Sequence, residues 1–333
     1  MADPRSDRRS VVVTFPVGER DRSIFAEELG DLATVTFLDG LADEQRLDVL
    51  RHADVLLTWL WDREIRPDER AALAKVRFIQ QVNAGVDTFP FGDVPASATI
   101  AGNVGAYSEP IAEHALAMAL AAAKRLLPRH AEMSRGEFHS FVPNRMLDGL
   151  VFGIIGFGGI GRATAHLARA FGARIHALNT SGRTDEDVEF AGTLADLDTV
   201  LAAADVVIVA LPLTRDTRGL IGARELGLMK PDAIIVNVAR AAIVDEGALF
   251  QHLKGHPDFF AGLDVWWNEP GPTGGFRTNF PFFELPNVIG SPHNSAIVPG
   301  VLEGAARRAA ANVARYLRGE ETKGVMRRED YMD

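Results

Sequence analysis

The sequence predicts an α/β protein built as two doubly wound parallel-sheet lobes. Two observations carry this reading. Short apolar runs alternate with helix-length segments from Val11 onward, the signature of parallel strands joined by covering helices. Within Leu150–Asn179, "LVFGIIGFGGIGRATAHLARAFGARIHALN", an apolar run ends in Gly156-x-Gly158-x-x-Gly161, a helical pattern follows, and a second apolar run closes the unit. A chain of 333 residues is long enough to divide into two such domains.

In the first half, Val11–Phe15, Thr34–Leu38, Asp54–Leu60 and Arg77–Val82 read as strands, with helices at Asp21–Leu29, Asp43–His52 and Pro67–Ala74 between them. The loop "NAGVD", Asn83–Asp87, follows the last of these strands at the carboxyl edge, where open α/β sheets bind ligands. Its backbone near Ala84 and Gly85 is either a carboxylate-binding turn or a plain turn. Trp59 and Trp61 end another strand at the same edge, as lid residues or as packing.

Gly102–Leu127 then reads as a helix opened by Ser108 or Glu109, with Pro110 in its first turn and small apolar residues on several faces. A helix apolar nearly all round is expected to be buried, to link the lobes and to contribute to a subunit interface. Pro128–Gly149 reads as loop and short helix. After the glycine-rich unit, Asp205–Thr214, Ala233–Arg240, Phe259–Trp266 and Asn287–Asn294 read as buried strands ending in polar or bulky residues. Gly300–Leu317 is a helix that can return to the first lobe.

Composition narrows the function. A net charge of −10 argues against a nucleic-acid partner and against an anionic membrane surface, since both need a basic footprint. The chain has no cysteine, which excludes disulfides, thiolate metal sites and a cysteine nucleophile, and fits the cytoplasm. The start, "MADPRSDRRS", is charged without an apolar core, so it reads as a frayed leader rather than a signal peptide.

The glycines have a physical reading. Gly156 supplies the tight turn out of the strand, Gly158 lets the backbone approach a pyrophosphate, and Gly161 lets the helix lie close on the sheet. The helix N-terminus offers unpaired N–H groups and partial positive charge to phosphates. At the same sheet edge fall Arg240, Asp264, Glu269 and His293. A histidine moves protons near neutral pH, and a neighbouring carboxylate such as Glu269 would favour its imidazolium form. Arg240 presents a planar fork suited to a carboxylate. Together these residues fit reduction of a 2-keto acid by hydride from a nicotinamide.

The motifs "NAGVD", "IAEHALAMAL", "GIIGFGGIG", "LPLTRDTRGLI", "IIVNVARAAIVDEGAL", "AGLDVWWNEP" and "LPNVIGSPH" occur in this order, and the chain from Val11 onward resembles the D-isomer-specific 2-hydroxyacid dehydrogenase family. The resemblance implies a flavodoxin-like substrate lobe from residues 1–102 and 296–333 and a Rossmann nucleotide lobe from 103–295. It implies Arg240, Glu269 and His293 as catalytic residues, and Ala84, Gly85, Asn103 and Arg240 as substrate-binding, with Asn103 at the interlobe cleft. Cofactor contacts fall to Gly156, Phe157, Gly158, Gly159, Ile160, Gly161, Asn179, Thr180, Ser181, Arg183, Leu211, Pro212, Thr217, Val238, Ala239 and His293, with Asp264 at the nicotinamide carboxamide. It also implies a homodimer formed through the nucleotide lobe.

Three departures from the family pattern shape the expectations. Asn179 replaces the Asp usual in NAD-preferring members, and "NTSGR" offers neutral donors and a cation, so NADP is favoured over NAD, with Asp185, Glu186 and Asp187 as nearby acids that can oppose this. "NSAIVPG" follows His293 in place of a glycine-containing sequence. "WWNEPGPTGGFRTNFPFF", Trp266–Phe283, brings aromatic residues near Glu269, lining either the pocket or a partner subunit. Glu269 disfavours a formate dehydrogenase, whose pair resembles glutamine–histidine. A phosphite- or phosphonate-directed dehydrogenase and a nucleotide-sensing, corepressor-like binding protein are the alternatives.

Overall fold

The computed structural model describes residues 8–270 and 274–332. Residues 1–7 of the expected leader, and Gly271–Thr273 of the aromatic segment, lie outside the described residues. The chain divides into two compact units, one running up to Tyr107 and again from Pro299, the other Ser108–Val298.

In the first unit, β1 (Arg9–Val13), β2 (Ala33–Phe37), β3 (Val55–Thr58), β4 (Phe78–Gln81) and β5 (Thr99–Ala101) form one parallel sheet in the order β2-β1-β3-β4-β5. This is the flavodoxin-like order. β3 and β4 are buried throughout because helices cover both faces; β3 is largely apolar, and β4 carries the buried polar pair Gln80 and Gln81. The connections are α1 (Glu19–Leu29), α2 (Asp43–Arg51) and the single turn α3 (Trp61–Glu64). Pro67–Lys75 is a 3₁₀ run rather than the expected α-helix. Arg66 N donates to Glu69 Oε2 at 2.9 Å, and Arg46 binds the same carboxylate at 2.7 Å, so the segment is tied down at its first turn. Trp61 is buried and packs edge-on against Phe89 at 4.9 Å.

In the second unit, α4 (Ser108–Ala123) and α5 (Leu126–Ser134) precede β6 (Val151–Ile155), α6 (Gly159–Ala170), β7 (Arg174–Leu178) and β8 (Phe190–Gly192). Then follow α7 (Leu197–Ala203), β9 (Val206–Val209), α8 (Ala223–Leu228), β10 (Ile234–Asn237), α9 (Glu246–Gly255), β11 (Phe260–Leu263) and β12 (Val288–Gly290). All seven strands are parallel, in the order β12-β11-β10-β9-β6-β7-β8. The order reverses at β6, the Rossmann arrangement with its switch point between β6 and β9. α4 is buried as its composition requires, against α6, β10 and β11.

The chain closes by returning to the first unit. α10 (Val301–Arg318) packs on α1 and β4, and Tyr316 stacks on Phe78 at 4.5 Å. The segment after it pairs with the edge strand β5, where Met326 N donates to the Ile100 carbonyl at 2.9 Å. No helix among the described residues is long and apolar enough to cross a membrane.

Candidate active site

The turn from β6 into α6 has the geometry the glycines require. Gly156 sits at φ 102°, where a Cβ would be strained and would meet the Leu211 nitrogen at 2.5 Å. A Cβ on Gly161 would run into the Gly156 carbonyl, so helix and turn approach as closely as backbone allows. A Cβ on Gly158 would meet nothing within 4 Å, so this side of the turn is open. Phe157 is buried, and its N–H donates to the Leu178 carbonyl at 2.7 Å. No side chain caps α6, leaving its first N–H groups, at Gly159 and Ile160, directed at that open side. This cradle fits a dinucleotide pyrophosphate.

At the end of β7 the side chain of Asn179 organises the next loop. Its Oδ1 accepts from Ser181 N and Ser181 Oγ, both at 3.0 Å, and its Nδ2 donates to the Arg183 carbonyl at 2.8 Å. Thr180, Ser181 and Arg183 are exposed along this loop. The nearby acids face α6 instead: Asp185 pairs with Arg162 at 3.1 Å and Glu186 with Arg169 at 3.1 Å. Among the described residues no carboxylate pairs with the Arg183 guanidinium.

Along the loops after β9 and β10, Pro212 is exposed, whereas Leu211, Thr217, Val238 and Ala239 are buried. Thr217 Oγ1 donates to the Pro212 carbonyl at 2.7 Å and accepts from Thr214 N at 2.8 Å, so the hydroxyl shapes this loop from inside. Asn237 Oδ1 accepts from Ala239 N and its Nδ2 donates to the Arg240 carbonyl, both at 3.0 Å, which sets the turn that presents Arg240.

His293 Nδ1 and Glu269 Oε2 are 2.7 Å apart, with both side chains about two-fifths exposed, at 40% and 39%. Burial raises the Glu269 pKa, but hydrogen bonds from His293 and the Trp266 amide, with the charges of His293 and Arg240, outweigh it and hold the carboxyl below its usual range. His293 itself adopts φ 52°, uncommon for a residue with a side chain, and its N–H donates to the Asp264 carbonyl at 2.7 Å.

Asp264 is fully buried, and its carboxylate accepts from Ser291 Oγ at 2.5 Å, Asn294 N at 3.2 Å and Ser295 N at 3.3 Å. Burial alone would raise its pKa; the bonds from Ser291 and Ser295 and the nearby His114 lower it. In this arrangement the carboxylate anchors the loop bearing His293. His114 reaches the same network, with Nε2 2.8 Å from Ser291 Oγ.

In the first unit, Ala84 and Gly85 lie in a bend after β4. Their backbone N–H groups make no hydrogen bond among the described residues. Gly85 borders a cavity of about 170 Å³ lined also by Trp59, Leu60, Trp61, Arg63 and Asn83. Asn103 is only 3% exposed, and its Nδ2 donates to the carbonyls of Val82 and Ala305 at 3.0 and 2.9 Å. Its amide nitrogen is thus held by two backbone carbonyls. The sequence reading did not single out Ser291 or the donor roles of Trp266 and Trp267; their signal was two indoles set three and two residues before Glu269.

Comparison with known proteins follows the same outline. The sequence profile for the D-isomer specific 2-hydroxyacid dehydrogenase, NAD binding domain, matches residues 116–295. The chain is 31% identical over 283 residues to a glyoxylate reductase of Thermococcus litoralis, covering 82% of this chain and 83% of that protein. It is 32% identical over 320 residues to a D-3-phosphoglycerate dehydrogenase of Methanocaldococcus jannaschii, covering 95% of this chain and 59% of that longer protein. A crystal structure of a protein from Pyrobaculum aerophilum matches with TM-score 0.78 at 29% identity, over 96% of this chain and 99% of that one. The matched profile runs from α4 through the glycine turn to the His293 loop, and the relatives match most of this chain. On these grounds the chain belongs to the D-isomer specific 2-hydroxyacid dehydrogenase family.

Proposed function

We propose that this protein reduces a 2-keto acid to the D-2-hydroxy acid with a nicotinamide dinucleotide. The observation that carries the reading is the Glu269–His293 pair: with Nδ1 directed at a carboxylate, Nε2 is left to exchange a proton with substrate. When bound, the nicotinamide supplies the hydride that adds to the carbonyl carbon. His293 delivers the proton to the carbonyl oxygen, and Glu269 stabilises the imidazolium before transfer. Arg240 holds the substrate carboxylate by its guanidinium fork and polarises the carbonyl. Within the first unit, we assign anion binding to the backbone at Ala84 and Gly85. Gly158, Gly159 and Ile160 hold the pyrophosphate.

We assign the preference to NADP over NAD. Arg183 is exposed without a carboxylate partner among the described residues, and Asn179 brings no charge to repel a 2′-phosphate. Of the acids that can oppose this, Asp185 and Glu186 are engaged by Arg162 and Arg169, while Asp187 is exposed and gives only its carbonyl to Arg169. We further assign a cytoplasmic homodimer formed through the second unit, on the exposed apolar run Leu126, Leu127, Met133, Phe138, Phe141 and Met146.

The test is oxidation of NADPH and NADH against 2-keto acids from glyoxylate and hydroxypyruvate to phenylpyruvate, with a phosphonate analogue included. Turnover with a keto acid and more efficient use of NADPH are expected. His293→Ala is expected to lower turnover by about two to four orders of magnitude with dinucleotide affinity retained. Silence of the wild type across the keto acids would overturn the reading.

A further inference from the structure

The double tryptophan after β11 makes three contacts that packing alone does not require. Trp266 N donates to Glu269 Oε1 at 3.0 Å, and Trp266 Nε1 donates to the Ser291 carbonyl at 2.8 Å, two residues before His293. Trp267 Nε1 donates to the Val244 carbonyl at 2.9 Å, at the end of the 3₁₀ turn Ala241–Ile243 that follows Arg240. Among the described residues, no other donor reaches either carbonyl.

The rings themselves are held. Trp266 is 6% exposed and packs against Phe276 and Phe283, each with ring centroids 5.1 Å away. Its edge lies over Gly290, where a Cβ would come within 2.7 Å of the indole. Trp267 stacks nearly parallel on Phe282 at 5.6 Å. An indole packed against neighbouring rings points its N–H in a restricted direction, and an N–H withdrawn from water needs its acceptor.

We propose that Trp266 and Trp267 are positioning residues, one dipeptide whose N–H groups lock the segments bearing His293, Glu269 and Arg240 into register. The inference rests on the assignment of those three residues to keto-acid reduction. It gives the two indoles separable tasks. Trp266 acts on the Glu269–His293 pair and hence on proton transfer. Trp267 acts on the turn after Arg240 and hence on carboxylate binding. A displacement of a reacting group by a fraction of an ångström is enough to slow the step it serves.

The experiment compares the wild type with Trp266→Phe and Trp267→Phe, which keep an aromatic ring and remove the N–H. Keto-acid reduction, NADPH affinity from cofactor fluorescence, and melting temperature are measured on each. Trp266→Phe is expected to lower kcat about tenfold with KM for the keto acid within about twofold, and Trp267→Phe to raise that KM about fivefold with kcat nearly unchanged. NADPH affinity is expected to hold in both. Should either phenylalanine variant fail to fold, benzothienylalanine at the same position keeps the indole shape while replacing the N–H by sulfur. An active wild type whose variants match it in kcat and KM would overturn this inference alone. Loss of kcat and KM alike in both variants, in step with melting temperature, would make the pair ordinary core and overturn it too. A wild type that reduces no keto acid would remove the functional reading and this one with it.

Discussion

Glu269 stays ionised because three donors and cations face it: the His293 ring, the Trp266 amide and, further off, Arg240. Glu269→Gln keeps the shape and removes the charge opposite His293. The expected result is a fall of about tenfold or more in kcat for keto-acid reduction, with little change in NADPH affinity, read by steady-state kinetics and cofactor fluorescence. A second residue sets a pH limit away from the site. His252 is lowered to about 4 by burial and by the adjacent His256, whose ring stacks on it at 4.1 Å. The folded state therefore keeps His252 neutral while the unfolded chain takes up a proton near the ordinary histidine value of about 6.5. Its contribution to stability is present above that pH and is lost as pH falls from about 6.5 to about 4. Urea unfolding at pH 8, 6 and 5 is expected to show this decline, with a shallower slope in His252→Gln.

At the scale of elements, the β6–α6 turn joins two demands, a strained backbone at Gly156 and closest approach at Gly161. Gly161→Ala places its methyl against the Gly156 carbonyl and within 3.0 Å of Ile154 Cγ2, so the helix must move off the sheet. NADPH affinity is expected to fall by about tenfold or more, since the N–H groups of α6 lose their placement. The run from α5 into the following loop is the other element with a distinct chemistry. Phe141 is 99% exposed and Phe138 76%, which only a covering surface would make favourable. Phe138→Ser with Phe141→Ser is expected to shift the sedimentation profile from dimer toward monomer; an unchanged dimer would place the interface elsewhere.

At the scale of the molecule, the chain supplies the first unit from both ends. Asn312 on α10 stitches them: its Nδ2 donates to Gln80 Oε1 at 2.6 Å and to the Lys323 carbonyl at 2.9 Å, and its Oδ1 accepts from Lys323 N at 2.8 Å. With Asn312 only 8% exposed, Asn312→Ala leaves buried partners unsatisfied and is expected to cost about 2 kcal/mol or more of stability. Calorimetry on the intact protein checks this.

Local periodicity was enough for the architecture. β3, β6, β9 and β10 are covered on both faces, so each appears as a predominantly apolar run, and the alternation with helices implies parallel sheets. β5 and β8 are three-residue edge strands that the sequence pattern does not single out, whereas β12, equally short and also at an edge, lies within the expected strand Asn287–Asn294. The 3₁₀ run Pro67–Lys75 escaped for another reason: its composition suits a helix, and the choice between helical forms follows from how Glu69 and Arg46 tie it down. Arg240, Glu269 and His293 were legible from their places at strand ends. What closes around them was not, because those bonds join residues far apart in the chain, such as His114 and Ser291. The sequence by itself determined two parallel α/β units, the glycine turn and the ionisable residues at its sheet edge, since all of these follow from local pattern. Only the tertiary structure decided that Asp264 anchors the His293 loop, that Asn103 Nδ2 bonds the Val82 and Ala305 carbonyls and that the two indoles reach Ser291 and Val244, because a buried polar group takes whichever partner the folded chain brings within hydrogen-bond reach.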